Sequence, residues 1–136
     1  MKIFLICSKQ FYPRVPEIQE ELESAGHVIT LPNSYDEPFS EDRYKELGAN
    51  EHAKWKAEML RHSTDVIEEN DAVLVLNFEK NSIPNYIGGA TFLEMYDAFR
   101  LDKKIFLYND IPDGILRDEI IGFSPRIING NLRLVN

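Results

Sequence analysis

Hydrophobic residues in this 136-residue chain fall into short unbroken runs separated by amphipathic stretches. Residues 2–8 form the first run, ending in Cys7 and Ser8, and Ala72–Leu76 and Lys104–Tyr108 repeat the pattern. A strand with one wet face alternates apolar and polar positions, whereas a strand covered on both faces does not. The three runs are therefore read as buried strands. His27–Leu31 and Arg126–Ile128 read as two further strands, and Leu132–Val135 as a terminal extension.

Between the strands the period changes. A loop with Pro13 and Pro16 leads into Val15, Ile18, Leu22 and Ala25, which recur at helical spacing, and Gly26 suits the stop. Residues 32–39 are a loop broken by Pro32, Asn33, Ser34 and Pro38. Ser40 followed by Glu41, Asp42 and Arg43 marks a helix start, since acids in a first turn suit the helix dipole. Gly48 interrupts, and a longer helix runs to about Asn70 with Trp55, Met59, His62, Val66 and Asn70 on one stripe. Phe92, Leu93, Tyr96 and Phe99 supply packing for another helix, and Ile115–Ile121 is a short one after Pro112. Strands alternate with helices throughout, with no repeat, linker or low-complexity segment. The expectation is one domain over residues 1–136. Its fold class is α/β, a doubly wound (Rossmann- or flavodoxin-like) sandwich with a mainly parallel five-stranded sheet. Ligands of such sheets lie beyond the carboxyl ends of the strands, which places Cys7, Ser8, Asn77, Asn109 and the loop 80–89 near any cleft.

Composition narrows the function. A chain of this length buries roughly two-thirds of its unfolded surface, enough for one real core. The formal charge is −8 without any Lys/Arg cluster, which argues against binding nucleic-acid duplexes through their phosphates. It leaves room for a single nucleotide, because backbone N–H groups alone can hold one phosphate. One cysteine permits no internal disulfide and no cysteine metal cage, and no spaced His/Asp/Glu set replaces it, so no metal and no cofactor is expected. No apolar run approaches the roughly 20 residues of a membrane span. The first run is too short for a signal peptide, with Lys9, Gln10 and Arg14 following at once, and cytoplasm is the expected compartment.

Candidate chemistry concentrates between Asp71 and Ile105, one strand–loop–helix–strand unit. Ala90, Glu94 and Ala98 form a line at spacing four, apart from the packing residues of their helix. Small residues flanking a carboxylate leave space for a ligand, although a solvated helix acid reads the same way. Gly88-Gly89 lets backbone approach a ligand, or makes a plain turn, and it is no dinucleotide fingerprint. Tyr86 suits stacking on a planar base or ordinary packing. Asp71 reads as a structural cap or turn residue, His62 as a hydrogen-bonded core histidine, and Cys7 as a small apolar side chain.

The segment Asp71–Ile105 resembles the nucleoside 2-deoxyribosyltransferase superfamily, including its hydrolases of 2′-deoxynucleoside 5′-monophosphates. The resemblance rests on the Asp71-led strand, Glu94, Ala98 and the pair Lys103-Lys104, and Asn85-Tyr86-Ile87-Gly88-Gly89 is similar to a subgroup of short members. It implies that Glu94 is a nucleophile attacking C1′ of a deoxyribose, forming a glycosyl-enzyme ester that water or a second base resolves. It implies a sugar or 5′-phosphate against the first loop, Ser8 to Tyr12 with Phe11, and a homodimer or higher homo-oligomer. The family's catalytic Asp, eight residues before the strand-leading Asp, is Ser63 here; its Gly before the nucleophile is Ala90. His62 and Asp65, beside Ser63, are then the groups available for proton transfer. The expected function is cleavage or transfer at the N-glycosidic bond of a 2′-deoxynucleoside or its 5′-monophosphate. The expected site joins catalytic Glu94, His62 and Asp65 with substrate-binding Ser8, Phe11, Tyr12, Asn77, Tyr86, Gly88, Gly89 and Ala90. The alternative is a nucleotide-binding module without turnover.

Overall fold

The computed structural model describes residues 1–136. Five strands, β1 (Lys2–Ile6), β2 (Val28–Thr30), β3 (Ala72–Val75), β4 (Lys104–Leu107) and β5 (Arg126–Ile127), pair in the order β2-β1-β3-β4-β5, all parallel. The helices are α1 (Val15–Ser24), α2 (Ser40–Leu47), α3 (Ala49–Glu69), α4 (Gly89–Arg100) and α5 (Arg117–Gly122). Short 3₁₀ helices cover Lys9–Arg14 and Leu132–Leu134. The α/β architecture and the five-stranded sheet agree with the sequence expectation, and the sheet is wholly parallel.

Register explains why the strand sequences do not alternate. Phe4 lies beside Val73 and Val73 beside Ile105, so neighbouring strands present matching faces. One face sends Ile3, Leu5, Leu74 and Phe106 against Val15, Ile18 and Leu22 of α1. The other sends Phe4, Ile6, Val75 and Leu107 against Ile67 of α3, Met95 and Ala98 of α4, and Ile120 of α5. Both faces are dry, and each large side chain buried there contributes about 1.5–3 kcal/mol of transfer free energy.

The long helix departs from its expected stripe. Its buried residues are Ser63 and Ile67, one position on from His62 and Val66. The C-terminal half of α3 meets the sheet and α4, while Trp55 in its first half stacks on Tyr44 of α2. Gly48 separates the two helices at φ +128°, a backbone conformation that side chains strain to adopt. Ser40 lies inside α2 and bonds Glu37 instead of capping the helix; Phe39 occupies the N-cap.

From β1 the chain moves first to β2 on one side and then to β3 on the other. The order thus reverses between β1 and β3, and a crevice forms beyond their carboxyl ends. No helix is long and apolar enough to cross a membrane.

Candidate active site

A hollow of about 340 Å³ occupies that crevice. Its size falls within the roughly 300–1,000 Å³ typical of small-molecule sites. The end of β1 and the turn after it supply Cys7, Ser8 and Tyr12; the loop after β2 supplies Asn33; α3 supplies Ser63; and the start of α4 supplies Gly88–Thr91 and Glu94.

Glu94 sits on the second turn of α4, only 9% exposed. The Ser63 hydroxyl donates to its Oε2 at 3.0 Å, and Asn33 Nδ2 donates to the Ser63 oxygen at 2.5 Å. The Tyr12 hydroxyl donates to the Asn33 carbonyl at 2.6 Å. A hydroxyl has one proton, so Asn33 occupying Ser63 as donor leaves the Ser63 proton for Glu94. The other carboxylate oxygen, Oε1, accepts nothing from the protein and is not sealed off. Burial pushes the Glu94 carboxyl up to about 7; the Ser63 bond opposes the rise and the nearby Asp97 charge adds to it.

Neighbouring acids stay neutral. Burial, helped by the Glu94 charge, pushes the Cys7 thiol up to about 12, so it packs as an uncharged wall. Burial and the groups Cys7, Glu94 and Glu41 push the Tyr12 phenol up as well. On the opposite side of the mouth, α2 and α3 carry the charge. Glu41 accepts from Lys56 at 2.8 Å and meets His52 at 2.9 Å. Burial alone would raise Glu41, but the bonds from Lys56 and His52 outweigh it and hold its carboxyl at about 2. Lys9 pairs with Asp42 at 3.0 Å, whereas Lys80 places its ammonium 4.6 Å from the Tyr86 ring centre without an acidic partner.

The start of α4 is open to a ligand. It has no acid in its first turn and no side-chain cap. Phe92 N–H makes the first helical bond, to Gly88 O at 2.9 Å, so the N–H groups before it have no helical acceptor. Thr91, 4% exposed, has a hydroxyl without a protein partner and faces the hollow.

Of the residues singled out in the sequence, Ser8, Tyr12, Tyr86, Gly88, Gly89, Ala90 and Glu94 line the hollow. Phe11 does not: it is buried beneath, edge-on to Phe78 at 5.4 Å and to Tyr86 at 6.5 Å, where it supports the wall. Asn77 is fully buried and bonds Asn109 and Asp110, tying the end of β3 to the chain leaving β4. His62 and Asp65 are exposed and outside the hollow. Each helical residue turns the chain by about 100°, so when Ser63 faces inward its neighbours on α3 face away. Asn33, Thr91, Lys56 and Lys80 were not singled out as site residues. Asn33 lies three residues past the end of β2, so the strand-end rule that located Ser8 was signal enough to find it.

No protein-family profile matches the chain, and no curated protein does. Among solved structures it is similar to the CMP N-glycosidase BcmB of Clostridium botulinum. The match has a TM-score of 0.50 and 18% sequence identity, and covers 93% of this chain and 85% of that one. At that identity what the two proteins share is the fold: a parallel α/β sheet flanked by helices, reached by chains with few residues in common.

Proposed function

We propose that the chain cleaves the N-glycosidic bond of a 2′-deoxynucleoside or its 5′-monophosphate, with Glu94 as nucleophile. The observation that carries this reading is the asymmetry of one carboxylate: Oε2 held by Ser63, Oε1 open to a ligand-sized hollow. In the first step Oε1 bonds to C1′ while the C1′–N electron pair leaves with the base, giving a glycosyl ester. Water then attacks C1′, releases the sugar and returns the carboxylate, losing its proton to solvent. Tyr86 stacks on the base, and the free N–H groups of α4 with the Thr91 hydroxyl hold the 5′ oxygen or phosphate. The similar structure is of a nucleotide N-glycosidase, which supports the bond class. The test is release of free base from a panel of deoxynucleosides and their monophosphates, followed by chromatography. Base release that Glu94→Gln abolishes is expected; a well-folded protein inert on the whole panel sinks the proposal.

One observation favours a second reading. Ser63, with its hydroxyl committed to Glu94, occupies the position from which the resemblance expects a carboxyl. A nucleotide-binding module without turnover fits that, and calorimetry would register tight binding with no base released.

A further inference from the structure

We infer, resting on the reading of Glu94 as nucleophile, that this site selects by leaving group: it takes N-glycosides whose base departs as an anion held by Lys80, without a proton from the protein. The argument is an inventory of protons around the hollow. Ser63 directs its proton at Glu94 and Tyr12 directs its own at the Asn33 carbonyl. The second carboxyl, Glu41, is bound by Lys56 and His52 and carries no proton near neutrality. His52 is turned to Glu41, and no imidazole lines the cavity. The Cys7 thiol is a weak acid made weaker by burial and by the Glu94 charge.

Tyr86 also lines the hollow, but a phenol O–H lies in the plane of its ring and does not point at a base stacked on the ring face. Ammonium groups remain, and they do different chemistry. Their N–H groups donate hydrogen bonds to an anion. Lys9 and Lys56 already have carboxylate partners, but Lys80 has none and sits over the aromatic ring on which a base would stack. The ammonium lies over the ring 4.6 Å from its centre, so a base stacking there displaces it, and the flexible lysine stem lets it move to the edge of the base, where a ring carbonyl oxygen lies. In the step inferred, the C1′–N pair moves onto the base and delocalises to that oxygen. Oε1 bonds to C1′, no proton moves, and the base takes its proton from water after release. Uracil-like bases bearing electron-withdrawing groups suit this chemistry. Adenine-like bases, which leave readily only when protonated, do not.

The experiment is a leaving-group series: 2′-deoxyuridine 5′-monophosphates carrying 5-methyl, 5-hydrogen, 5-fluoro and 5-nitro groups, with deoxyadenosine monophosphate beside them. General acids contribute roughly 10²–10⁴ in rate, so without one kcat/KM should climb about a hundredfold or more across the series. Deoxyadenosine monophosphate should react slowest, and Lys80→Gln should depress every pyrimidine rate and steepen the climb. A flat dependence, or adenine released as fast as uracil, overturns the inference while leaving Glu94 in its role. A folded protein inert even toward the 5-nitro substrate overturns the glycosidic reading itself. Unchanged rates in Lys80→Gln remove Lys80 from the account.

Discussion

The two walls of the hollow are built on opposite principles. The wall formed by β1 and α4 is backed by the dry apolar core, and the one carboxyl it buries is bonded on a single side. The wall formed by α2 and the first half of α3 is held largely by charge. Lys9–Asp42 crosses to it, Glu41 joins it to α3, and Phe39 and Leu47 stay 76% and 63% exposed. An ion pair in water adds little stability, while apolar burial adds much. Rigidity is therefore concentrated around Glu94, and compliance at the outer rim of the hollow.

Removing the acid from the rigid wall has the largest effect. Glu94→Gln should lower turnover by about 10⁴-fold or more, as loss of a nucleophile does. Stability should move the other way. The carboxyl titrates near 4.5 when unfolded and near 7 when folded, so the native state binds more protons between those values. Wild-type stability then falls as pH rises through that window, by roughly 3 kcal/mol in total. On the proposed mechanism attack needs the ionised form, so activity should rise through the same window. Glutamine escapes the pH penalty, and denaturant melts at pH 5 and pH 8 should place Glu94→Gln above wild type only at the higher pH. Equal pH dependence in both proteins would mean that the carboxyl is well solvated.

Two phenylalanines put the contrast in stability alone. Phe4 is wholly buried between β1 and the helices, and Phe39 stands in solvent at the start of α2. Phe4→Ala should cost about 3–5 kcal/mol, against less than about 0.5 for Phe39→Ala. A substantial loss at Phe39 would show that something covers the outer wall.

What was legible in the sequence divides along the same line. The strands could be read because Ile3–Ile6, Ala72–Leu76 and Ile105–Leu107 are unbroken apolar runs, the signature of burial on both faces. Glu94 and Ala90 line the hollow together as their spacing suggested, but Ala98 packs in the core beside Met95, and Leu93, Tyr96 and Phe99, expected to supply the packing of α4, are exposed. The charged wall was mostly illegible: nothing local in Lys56 or Lys80 distinguishes a cavity-lining lysine from a solvated one. His62 and Asp65 lie outside the hollow because one or two residues of helical rotation decide between cleft and solvent, and Ser63 took the inward position. Asn77 lies apart from the hollow for another reason. At a strand end, an asparagine can bind a ligand or tie two loops, and only the position of Asn109 settles which.

Ser63 links the two halves of the site, and its loss should be intermediate. Ser63→Ala removes the bond that favours the ionised Glu94 and leaves Asn33 without its acceptor. A cost of about 1–2 kcal/mol in stability is expected. The rising limb of activity against pH should move upward, because the bond that lowered the Glu94 pKa is gone. Ser63→Thr keeps the hydroxyl and should restore the limb. A pH profile unmoved in Ser63→Ala would mean that the hydroxyl only fills space.

The smallest effect belongs to the pair that bridges the mouth. Lys9 and Asp42 are both about half exposed, so Asp42→Asn should change stability by less than about 1 kcal/mol. Its consequence should appear in binding instead. Freed of Asp42, Lys9 becomes a second unpaired ammonium at the rim beside Lys80 and increases the attraction for an anionic substrate. KM for a 5′-monophosphate should fall modestly at low salt, with kcat nearly unchanged, and the gain should vanish as added salt screens the rim. A fall in kcat of comparable size would contradict the division of labour, since it would mean that the compliant wall also sets the geometry at Glu94.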